Sequence, residues 1–290
     1  LQAEARAARY ELLAEWARER ELDQVLLGHT MDDLAETFLI RLARKSGVDG
    51  LAAMRPVFDR NGQSFGRPLL GAERQALRDC LSAQGQSWCE DASNQDTKYD
   101  RVRMRNALQI LAPLGIDAPA LAKTSAHMSV ARDALDALAR MTAQQICQLD
   151  HGDVVFAREG LRAAPDETQH RLLSAALKWV SGAEYTPRSD AIASLRVAID
   201  QTRDMTLSGC LVSVSQTHLR VTREYNAVRD LTSSGPLWDR WQLNGPWLPG
   251  LVVRALSADG LRQIATWRDT GIPRLSLVSS PSVWLNENLI

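Results

Sequence analysis

The chain has 290 residues and a formal net charge of −1 at pH 7, with 45% hydrophobic and 24% charged residues. This composition is typical of a soluble globular protein, and the length suggests two domains of roughly 100–200 residues each. No run of about 18 apolar residues occurs, so the sequence predicts no membrane span. Because the net charge is close to zero, any nucleic acid has to bind through local basic patches.

The cysteines and the first residues of the chain indicate a cellular compartment. No cysteine belongs to a C-x-x-C motif or has zinc-ligand spacing to a histidine; the four are Cys80, Cys89, Cys147 and Cys210. The first ten residues have neither the charge layout nor the apolar core of a signal peptide. Isolated cysteines in such a chain fit a reducing environment, and we therefore predict a cytoplasmic protein.

The first third of the chain alternates short apolar strands with amphipathic helices, which is typical of a parallel sheet with helices on its faces. We predict strands at residues 25–27 and 64–69, the second after a turn at Asn61 and Gly62. Helices are predicted at residues 4–20, 32–44 and 73–84. The apolar residues expected to face the core are Tyr10, Leu13 and Trp16 in the first helix and Leu34, Phe38 and Leu42 in the second.

Beyond residue 101 the pattern becomes mainly helical. Helices are predicted at residues 103–111, 118–149, 166–181 and 189–201, the second being so long that we expect a bend in it. Alternating apolar and polar residues predict strands at 153–158 and 210–224. A Ser-Ser-Gly-Pro sequence within residues 225–236 predicts a linker before a small β-rich region. Two tryptophans of that region are expected in its core, with stacking on RNA bases as the alternative: Trp238 and Trp241.

Residues 28–37 concentrate polar and ionisable side chains where a predicted strand becomes a helix. Their sequence is Gly-His-Thr-Met-Asp-Asp-Leu-Ala-Glu-Thr. Sheets of the α/β class bind ligands at the carboxyl ends of strands, and free N–H groups of a helix N-terminus attract phosphates there. Carboxylates fit such a place if Mg²⁺ bridges them to a nucleotide. The alternative is structural: Asp32 and Asp33 cap the helix, Glu36 is a first-turn carboxylate and His29 an ordinary loop residue.

The H-x-x-D-D-x-x-E-T pattern of this segment resembles the second motif of the N-type ATP pyrophosphatases, the PP-loop superfamily. Within that superfamily the chain resembles the tRNA(Ile)-lysidine synthetase family, most densely over residues 1–112. The other matching segments are residues 6–10 (R-x-x-R-Y), 44–51 (R-G-S-G-x-x-G-L), 67–70 (R-P-L-L), 88–96 (W-x-x-D-x-S-N-x-D) and 100–105 (x-R-N-R-I-R).

The chain departs from the family pattern in three places. The glycine-rich S-G-G-x-D-S loop that cradles the diphosphate in the family is expected upstream of Leu1, so we predict a chain truncated before that loop. Thr30 stands where the family usually has His or Asn. Lys45 stands where the family usually has Gly, which predicts a stiffer and more cationic loop.

The resemblance implies an α/β fold with three regions. Residues 1–112 are expected to form a parallel-sheet PP-loop domain of the adenine nucleotide α-hydrolase type, incomplete at its N-terminus. A mainly helical α+β domain that binds tRNA is expected at residues 113–230, and a small β-rich domain at residues 231–290. The sequence leaves the oligomeric state open, with a homodimer as one option.

The resemblance also implies a reaction. ATP adenylates the C2 oxygen of the wobble cytidine of a tRNA(Ile) with a CAU anticodon, and the amine of L-lysine then displaces AMP. The products are lysidine, AMP and diphosphate, and codon recognition changes from AUG to AUA. Such a ligase needs Mg²⁺ and cationic groups to neutralise the charge that develops on the diphosphate.

We assign candidate roles to the residues of the matching motifs. The expected Mg²⁺ ligands or nucleotide-positioning groups are Asp33 first and Asp32 second. Arginines with fork geometry suit phosphates or the tRNA backbone, and the candidates are Arg6, Arg9, Arg101 and Arg103. Further residues expected to bind ATP or substrate are His29, Glu36, Thr37 and Arg105. The lysine amine needs an acidic partner, for which the candidates are Glu36 and Asp32.

Two alternatives accompany this interpretation. One is another tRNA-modifying enzyme of the superfamily, such as a thiolase. The thiolases that share the G-H-x-x-D-D motif hold an iron–sulfur cluster with paired cysteines, which this chain lacks. The other is a non-catalytic RNA-binding relic, suggested by the absent phosphate loop. The basic cluster at residues 98–105 also has two interpretations. It binds phosphates of RNA or nucleotide, or it is a solvated helix face, which would have a similar composition.

Overall fold

A computed structural model describes residues 2–89 and 98–290 of the chain. The chain divides into two compact units, Leu1–Ala134 and Leu135–Ile290. The boundaries predicted from the sequence, at residues 112 and 230, do not coincide with this division. That residues 112 and 230 separate independently folding domains stays a prediction.

The first unit combines a three-stranded sheet with helices. Its strands are β1 (Gln24–Leu26), β2 (Val57–Arg60) and β3 (Gln63–Gly66). β1 runs parallel to β3, with Val25 opposite Phe65, whereas β2 pairs antiparallel with β3. The helices are α1 (Gln2–Glu19), α2 (Met31–Ala43), α3 (Val48–Leu51), α4 (Arg74–Ala83), α5 (Asp100–Leu111) and the first part of α6 (Ala118–Ile146), which continues into the second unit.

The β2–β3 hairpin contains a strand that sequence analysis missed. Asn61 and Gly62 form its two-residue turn, with positive φ values of 52° and 72°, as the right-handed twist of a hairpin requires. The predicted turn and the strand that follows it are therefore confirmed. β2 escaped prediction because its sequence, Val-Phe-Asp-Arg, does not alternate apolar and polar residues.

The core of the first unit forms where α1 packs against the sheet. Tyr10, Ala14 and Ala17 lie on one face of α1 and contact Val25 and Phe65. The prediction that Tyr10 faces inward is confirmed, but Trp16 is 47% exposed and so does not belong to this face. In α2, the predicted inward positions Leu34 and Phe38 are buried, whereas Leu42 is 50% exposed near the end of the helix.

Lys45 adopts the left-handed conformation that the family pattern fills with glycine. Its φ is +57°, a region in which the Cβ of an L-residue approaches the following carbonyl oxygen at a cost of about 1–2 kcal/mol. Glycine avoids this strain but orders at a cost of about 0.5–1 kcal/mol. We therefore expect Lys45→Gly to raise the free energy of unfolding by about 0.5–1 kcal/mol.

Denaturant unfolding of Lys45→Gly beside Lys45→Ala measures this effect. Alanine removes the charge but keeps the Cβ, so this control variant should gain nothing. An equal gain in both variants would show that the lysine charge, and not the backbone conformation, is responsible.

The second unit is built on a five-stranded antiparallel sheet. Its strands are β4 (Cys147–Asp150), β5 (Asp153–Ala157), β6 (Met205–Leu207), β7 (Cys210–Val214) and β8 (His218–Arg223), in the order β4-β5-β8-β7-β6. The helices that accompany it are α7 (Arg158–Ala163), α8 (Asp166–Ser181) and α9 (Ser189–Asp200). The predicted helices at residues 166–181 and 189–201 and the predicted strand at 153–158 are confirmed, the last as β5. The segment predicted as strand at 210–224 is a hairpin of two strands, β7 and β8, and neither β4 nor β6 was predicted.

The predicted linker at residues 225–236 is instead part of the packed structure. It contains α10 (Tyr225–Val228) and β9 (Thr232–Ser233), and the buried Val228 packs with Trp238 and Val253. β9 is the edge strand of a four-stranded sheet, and a separate hairpin precedes the rest of that sheet. The remaining elements are β10 (Leu237–Trp238), β11 (Trp241–Gln242), β12 (Leu251–Ala255), α11 (Ser257–Gln263), α12 (Arg274–Val278), β13 (Pro281–Leu285) and β14 (Asn288–Leu289).

Two further predictions concern tryptophan and the long helix. Trp238 is 3% exposed and its indole Nε1 donates to the carbonyl of Leu231 at 3.0 Å, which confirms its place in the core. α6 is an uninterrupted 29-residue α-helix that ends at Ile146, three residues before the predicted end at 149. No helix among the residues described is long and apolar enough to cross a membrane.

Candidate functional site

The turn that follows β1 builds the N-terminus of α2 from its own polar side chains. Thr30 is the N-cap, with extended backbone (φ −103°, ψ 177°). The carboxylate Oδ2 of Asp33 accepts hydrogen bonds from the backbone N and the Oγ1 of Thr30, both at 2.9 Å. The backbone N of Asp33 donates in return to Thr30 Oγ1 at 3.5 Å. This reciprocal capping box confirms the structural role weighed for Asp33.

Asp33 also lines a cavity of about 540 Å³ at the carboxyl end of β1. Such a volume lies within the range of about 300–1,000 Å³ that is typical of sites for small ligands. The lining residues come from α1, from the end of β1, from the turn before α2 and from the first turn of α2; they are Ala5, Arg6, Arg9, Tyr10, Leu26, Leu27, Gly28, His29 and Asp33. The structure thus brings together four of the predicted site residues, Arg6, Arg9, His29 and Asp33.

The cavity is mainly cationic. Arg6 donates through Nη2 to the hydroxyl of Tyr10 at 3.3 Å, which holds its guanidinium beside the cavity. Arg9 lies one turn further along α1 and is exposed. Two guanidinium groups facing one carboxylate favour an anionic ligand, because each offers several N–H donors in a planar fork.

Asp32 is directed away from this cavity, although it is the neighbour of Asp33. Its Oδ2 accepts the backbone N–H of Arg74 at 2.7 Å, at the first residue of α4. Successive residues of a helix do not face each other, which explains why Asp32 accepts from the backbone of Arg74 whereas Asp33 contacts Thr30 and the guanidinium of Arg74. Asp32 therefore satisfies a free N–H of α4, and its role as a Mg²⁺ ligand stays a prediction.

Glu36 is buried between two arginines. Its side chain is 1% exposed, and Oε1 lies 2.8 Å from Arg105 Nε and 3.7 Å from Arg74 Nη2. Arg74 Nη2 also lies 3.3 Å from Asp33 Oδ1, so it links the two carboxylates. Burial raises the pKa of Glu36 above its ordinary value, against the hydrogen bond and the charge of Arg105. Among the residues described, no hydrogen-bond donor reaches Glu36 Oε2.

The remaining predicted residues lie in different surroundings. Arg105 is engaged with Glu36, and Thr37 is half-buried on α2 outside the cavity lining. Arg103 is 58% exposed and pairs with Asp100, whose carboxylate also lies 3.3 Å from Arg44. Such exposed ion pairs are expected of a solvated helix face, which is the alternative that sequence analysis left open for this basic cluster. The substrate-binding roles of these residues stay predictions.

Arg101 differs from its neighbours in the same basic cluster. Within residues 2–89 and 98–290 it has no ion-pair partner, and its charge contributes to lowering the pKa of His29. Four residues of the family motif at 88–96 lie outside the described residues: Asp91, Ser93, Asn94 and Asp96.

His29 is held by an arginine to which the sequence assigned no role. Arg67 Nε donates to His29 Nδ1 at 3.3 Å. The pKa of His29 is lowered from 6.5, first by burial and then by the positive charge of Arg67. Lesser effects come from Asp33, which raises this pKa, and from Arg101 and Arg6, which lower it. The imidazole is therefore neutral at physiological pH.

A pH-dependent stability follows from this lowered pKa. The unfolded chain binds a proton at residue 29 near pH 6.5, whereas the folded chain does so only at lower pH. The free energy of unfolding should therefore fall as the pH decreases through the interval below about 6.5. His29→Gln should show a flatter dependence there, measured by denaturant unfolding at a series of pH values. Parallel curves for the two proteins would contradict the lowered pKa.

Sequence analysis missed two residues of the site, Arg67 and Arg74. Arg67 lies in the R-P-L-L segment, so a motif pointed to it but not to its contact with His29. Arg74 lies in none of the matching motifs, and its contacts to Asp32 and Asp33 span more than 40 residues of sequence. No local signal in the sequence predicts contacts of that length.

The described residues contain no group of three or more His, Cys, Asp or Glu side chains with the arrangement of a metal site. Mg²⁺ nevertheless often binds through one or two carboxylates, with waters and substrate phosphates as its other ligands. Asp33 fits this mode because it lines the cavity, although Thr30 and Arg74 already contact both of its oxygens.

Comparison with known proteins adds independent evidence. Residues 1–111 match the family model of the PP-loop domain. The whole chain is similar to a tRNA(Ile)-lysidine synthase of Ruegeria pomeroyi, with 46% identity over 100% of the chain and 70% of the relative. A protein of the same name from Wolbachia pipientis wMel is 33% identical over 82% of the chain and 58% of its own length. One from Rhodopseudomonas palustris is 37% identical over 69% of the chain and 58% of its own length.

Proposed function

Because the chain belongs to the tRNA(Ile)-lysidine synthase family, we propose that the complete protein is an ATP-dependent carbon–nitrogen ligase that modifies tRNA(Ile). In the proposed reaction, ATP adenylates the wobble cytidine of a tRNA with a CAU anticodon. L-Lysine then replaces AMP, giving lysidine and changing codon recognition from AUG to AUA. The proposed compartment is the cytoplasm, where ATP, L-lysine and tRNA occur together.

The cavity at the carboxyl end of β1 is the observation that supports this function best. Arg6 and Arg9 supply cationic donors on one wall, and His29 and Asp33 lie at the N-terminus of α2. A nucleotide phosphate placed there meets both the arginines and the positive end of the helix dipole. Mg²⁺, when bound with ATP, would neutralise phosphate charge, with Asp33 as its proposed protein ligand.

Glu36 is the proposed acidic partner of the lysine substrate. Its buried Oε2 has no hydrogen-bond partner among the residues described, and an unsatisfied carboxylate oxygen in the interior calls for a donor. An ammonium group of lysine supplies such donors. Asp32, the other candidate, already accepts the backbone N–H of Arg74, so the geometry favours Glu36.

The tRNA backbone is the proposed partner of Arg101. A phosphate contact of this kind is not specific for sequence, but it fixes the position of the tRNA and weakens with salt. Arg103 is the weaker candidate because Asp100 already neutralises it. The four cysteines form no C-x-x-C pair in the sequence, so they give no support to the thiolase alternative.

The products of ATP cleavage test the proposed reaction. The complete protein should release AMP and diphosphate in equal amounts when it is given ATP, L-lysine and the CAU tRNA. A tRNA with uridine in place of the wobble cytidine is the matched control and should give no AMP above background. Release of ADP and phosphate, or AMP release with both tRNAs, would contradict adenylation of this cytidine.

A further inference from the structure

Arg67 contacts the imidazole of His29 from outside the cavity. His29 lines the cavity and Arg67 does not, while Arg67 Nε donates to His29 Nδ1 at 3.3 Å. Two further contacts fix the guanidinium. Its Nη1 donates to the carbonyl of Arg55 at 2.7 Å, and its central carbon lies 4.2 Å from the centre of the Phe58 ring. Arg67 is only 9% exposed, so solvent does not compete strongly for these contacts.

The direction of the hydrogen bond between these residues determines the tautomer of His29. A guanidinium group has donors and no acceptor, so the Nδ1 of His29 must be the acceptor in this contact. A neutral imidazole whose Nδ1 accepts carries its proton on Nε2. Because Arg67 occupies Nδ1, the Nε2–H group is the polar edge of the ring that is left for the cavity.

The same contact opposes a positively charged imidazole. Protonation would place an N–H on Nδ1, directly against the N–H of Arg67. The titratable and charged groups that act on His29 from the surrounding elements are Arg67, Asp33, Arg101 and Arg6, and only Asp33 favours the charged form. Burial of the ring acts in the same direction as the arginines.

We propose that Arg67 is a positioning residue that holds His29 as the neutral Nε2–H tautomer, so that His29 donates a hydrogen bond to a phosphate oxygen of the bound nucleotide. In this role His29 does not accept a proton during the reaction, since Nδ1 is occupied and Nε2 is already protonated. The identity of the acceptor rests on the proposed function, because the cationic walls contributed by Arg6 and Arg9 favour a phosphate. The tautomer itself does not depend on which reaction is catalysed.

Nitrogen NMR of the complete protein tests the tautomer without any activity measurement. With ¹⁵N-labelled histidine, the imidazole nitrogens of each tautomer give distinct chemical shifts, and the spectrum of His29→Gln identifies the signal of His29. We expect the wild type to carry the proton on Nε2 at pH 7, and Arg67→Met to show a mixture of tautomers. A wild-type His29 with its proton on Nδ1, or with both nitrogens protonated, would overturn the proposal even if Arg67→Met does not fold.

A pair of substitutions at His29 separates hydrogen-bond donation from proton transfer. The amide nitrogen of glutamine reaches about as far as Nε2, whereas that of asparagine reaches only to Nδ1. We expect His29→Asn to lower kcat by about 100-fold, the loss typical of a donor that stabilises developing negative charge. His29→Gln should lose at least about tenfold less of kcat than His29→Asn, with the same dependence on pH as the wild type. Equal losses in both variants would show that the imidazole acts as a base and not as a donor.

Discussion

Replacing Arg105 by methionine is expected to lower the free energy of unfolding by about 3 kcal/mol, because removing one partner of a buried ion pair leaves the other charge uncompensated. The partner is Glu36, which is 1% exposed and accepts from Arg105 Nε at 2.8 Å. Arg74 lies 3.7 Å from the same carboxylate oxygen and cannot satisfy both oxygens alone. The loss should appear in the midpoint of denaturant unfolding at unchanged slope.

Arg103 supplies the matched control on the same helix. It pairs with Asp100, but the two side chains are 58% and 44% exposed, and such surface pairs contribute about 0–1 kcal/mol. Arg103→Met should therefore change the stability little. The double variant Arg105→Met with Glu36→Leu should recover most of the stability that Arg105→Met loses, because it removes both charges. Equal effects of the two single arginine variants would contradict the buried pair.

Replacing Asp33 by asparagine in the complete protein is expected to lower kcat by at least about 100-fold, which corresponds to roughly 2.7 kcal/mol of transition-state stabilisation. Asparagine keeps the shape and one oxygen acceptor, so the capping contact with Thr30 can persist. It removes the negative charge in the cavity, which a divalent cation bound with ATP needs.

Asp32→Asn is the control that separates this effect from a general loss of charge at the start of α2. Asp32 accepts from the backbone of Arg74 and is absent from the cavity lining. The amide oxygen of asparagine can still accept that bond, so kcat should stay within about threefold of the wild type, less than 1 kcal/mol. Similar losses of kcat in the two variants would mean that the loss of charge at the start of α2, and not the position of Asp33 in the cavity, causes the effect. Near-normal kcat in Asp33→Asn, with an unchanged melting temperature, would mean that Asp33 is only a helix cap.

These two predictions also show what the sequence can and cannot predict. The motif at residues 28–37 placed Asp32 and Asp33 at the start of a helix after a strand, and the structure confirms that position. The contacts that both aspartates make with Arg74 were not predictable, because Arg74 lies more than 40 residues away in the sequence. The pairing of Glu36 with Arg105 joins positions 69 residues apart, for which no local pattern carries a signal.

Secondary structure was likewise predictable where the signal in the sequence is local. Helices with a strong apolar period, such as α8 and α9, were predicted to within a few residues. The errors occurred where tertiary contacts decide. Trp16 was expected in the core because its spacing from Tyr10 and Leu13 fits one face of a helix, yet the buried face of α1 runs through Ala14 and Ala17. β2 is a strand because it pairs with β3, not because its own sequence alternates.

The attachment of lysine to tRNA tests the central claim most directly. The complete protein is incubated with ATP, radiolabelled L-lysine and a tRNA(Ile) with a CAU anticodon, and the modified nucleoside is then located in the tRNA by digestion. We predict one lysine per tRNA, covalently bound at the wobble cytidine, with no incorporation when ATP is omitted. A folded protein that binds this tRNA but attaches no lysine, or that introduces sulfur instead, would contradict the proposed function.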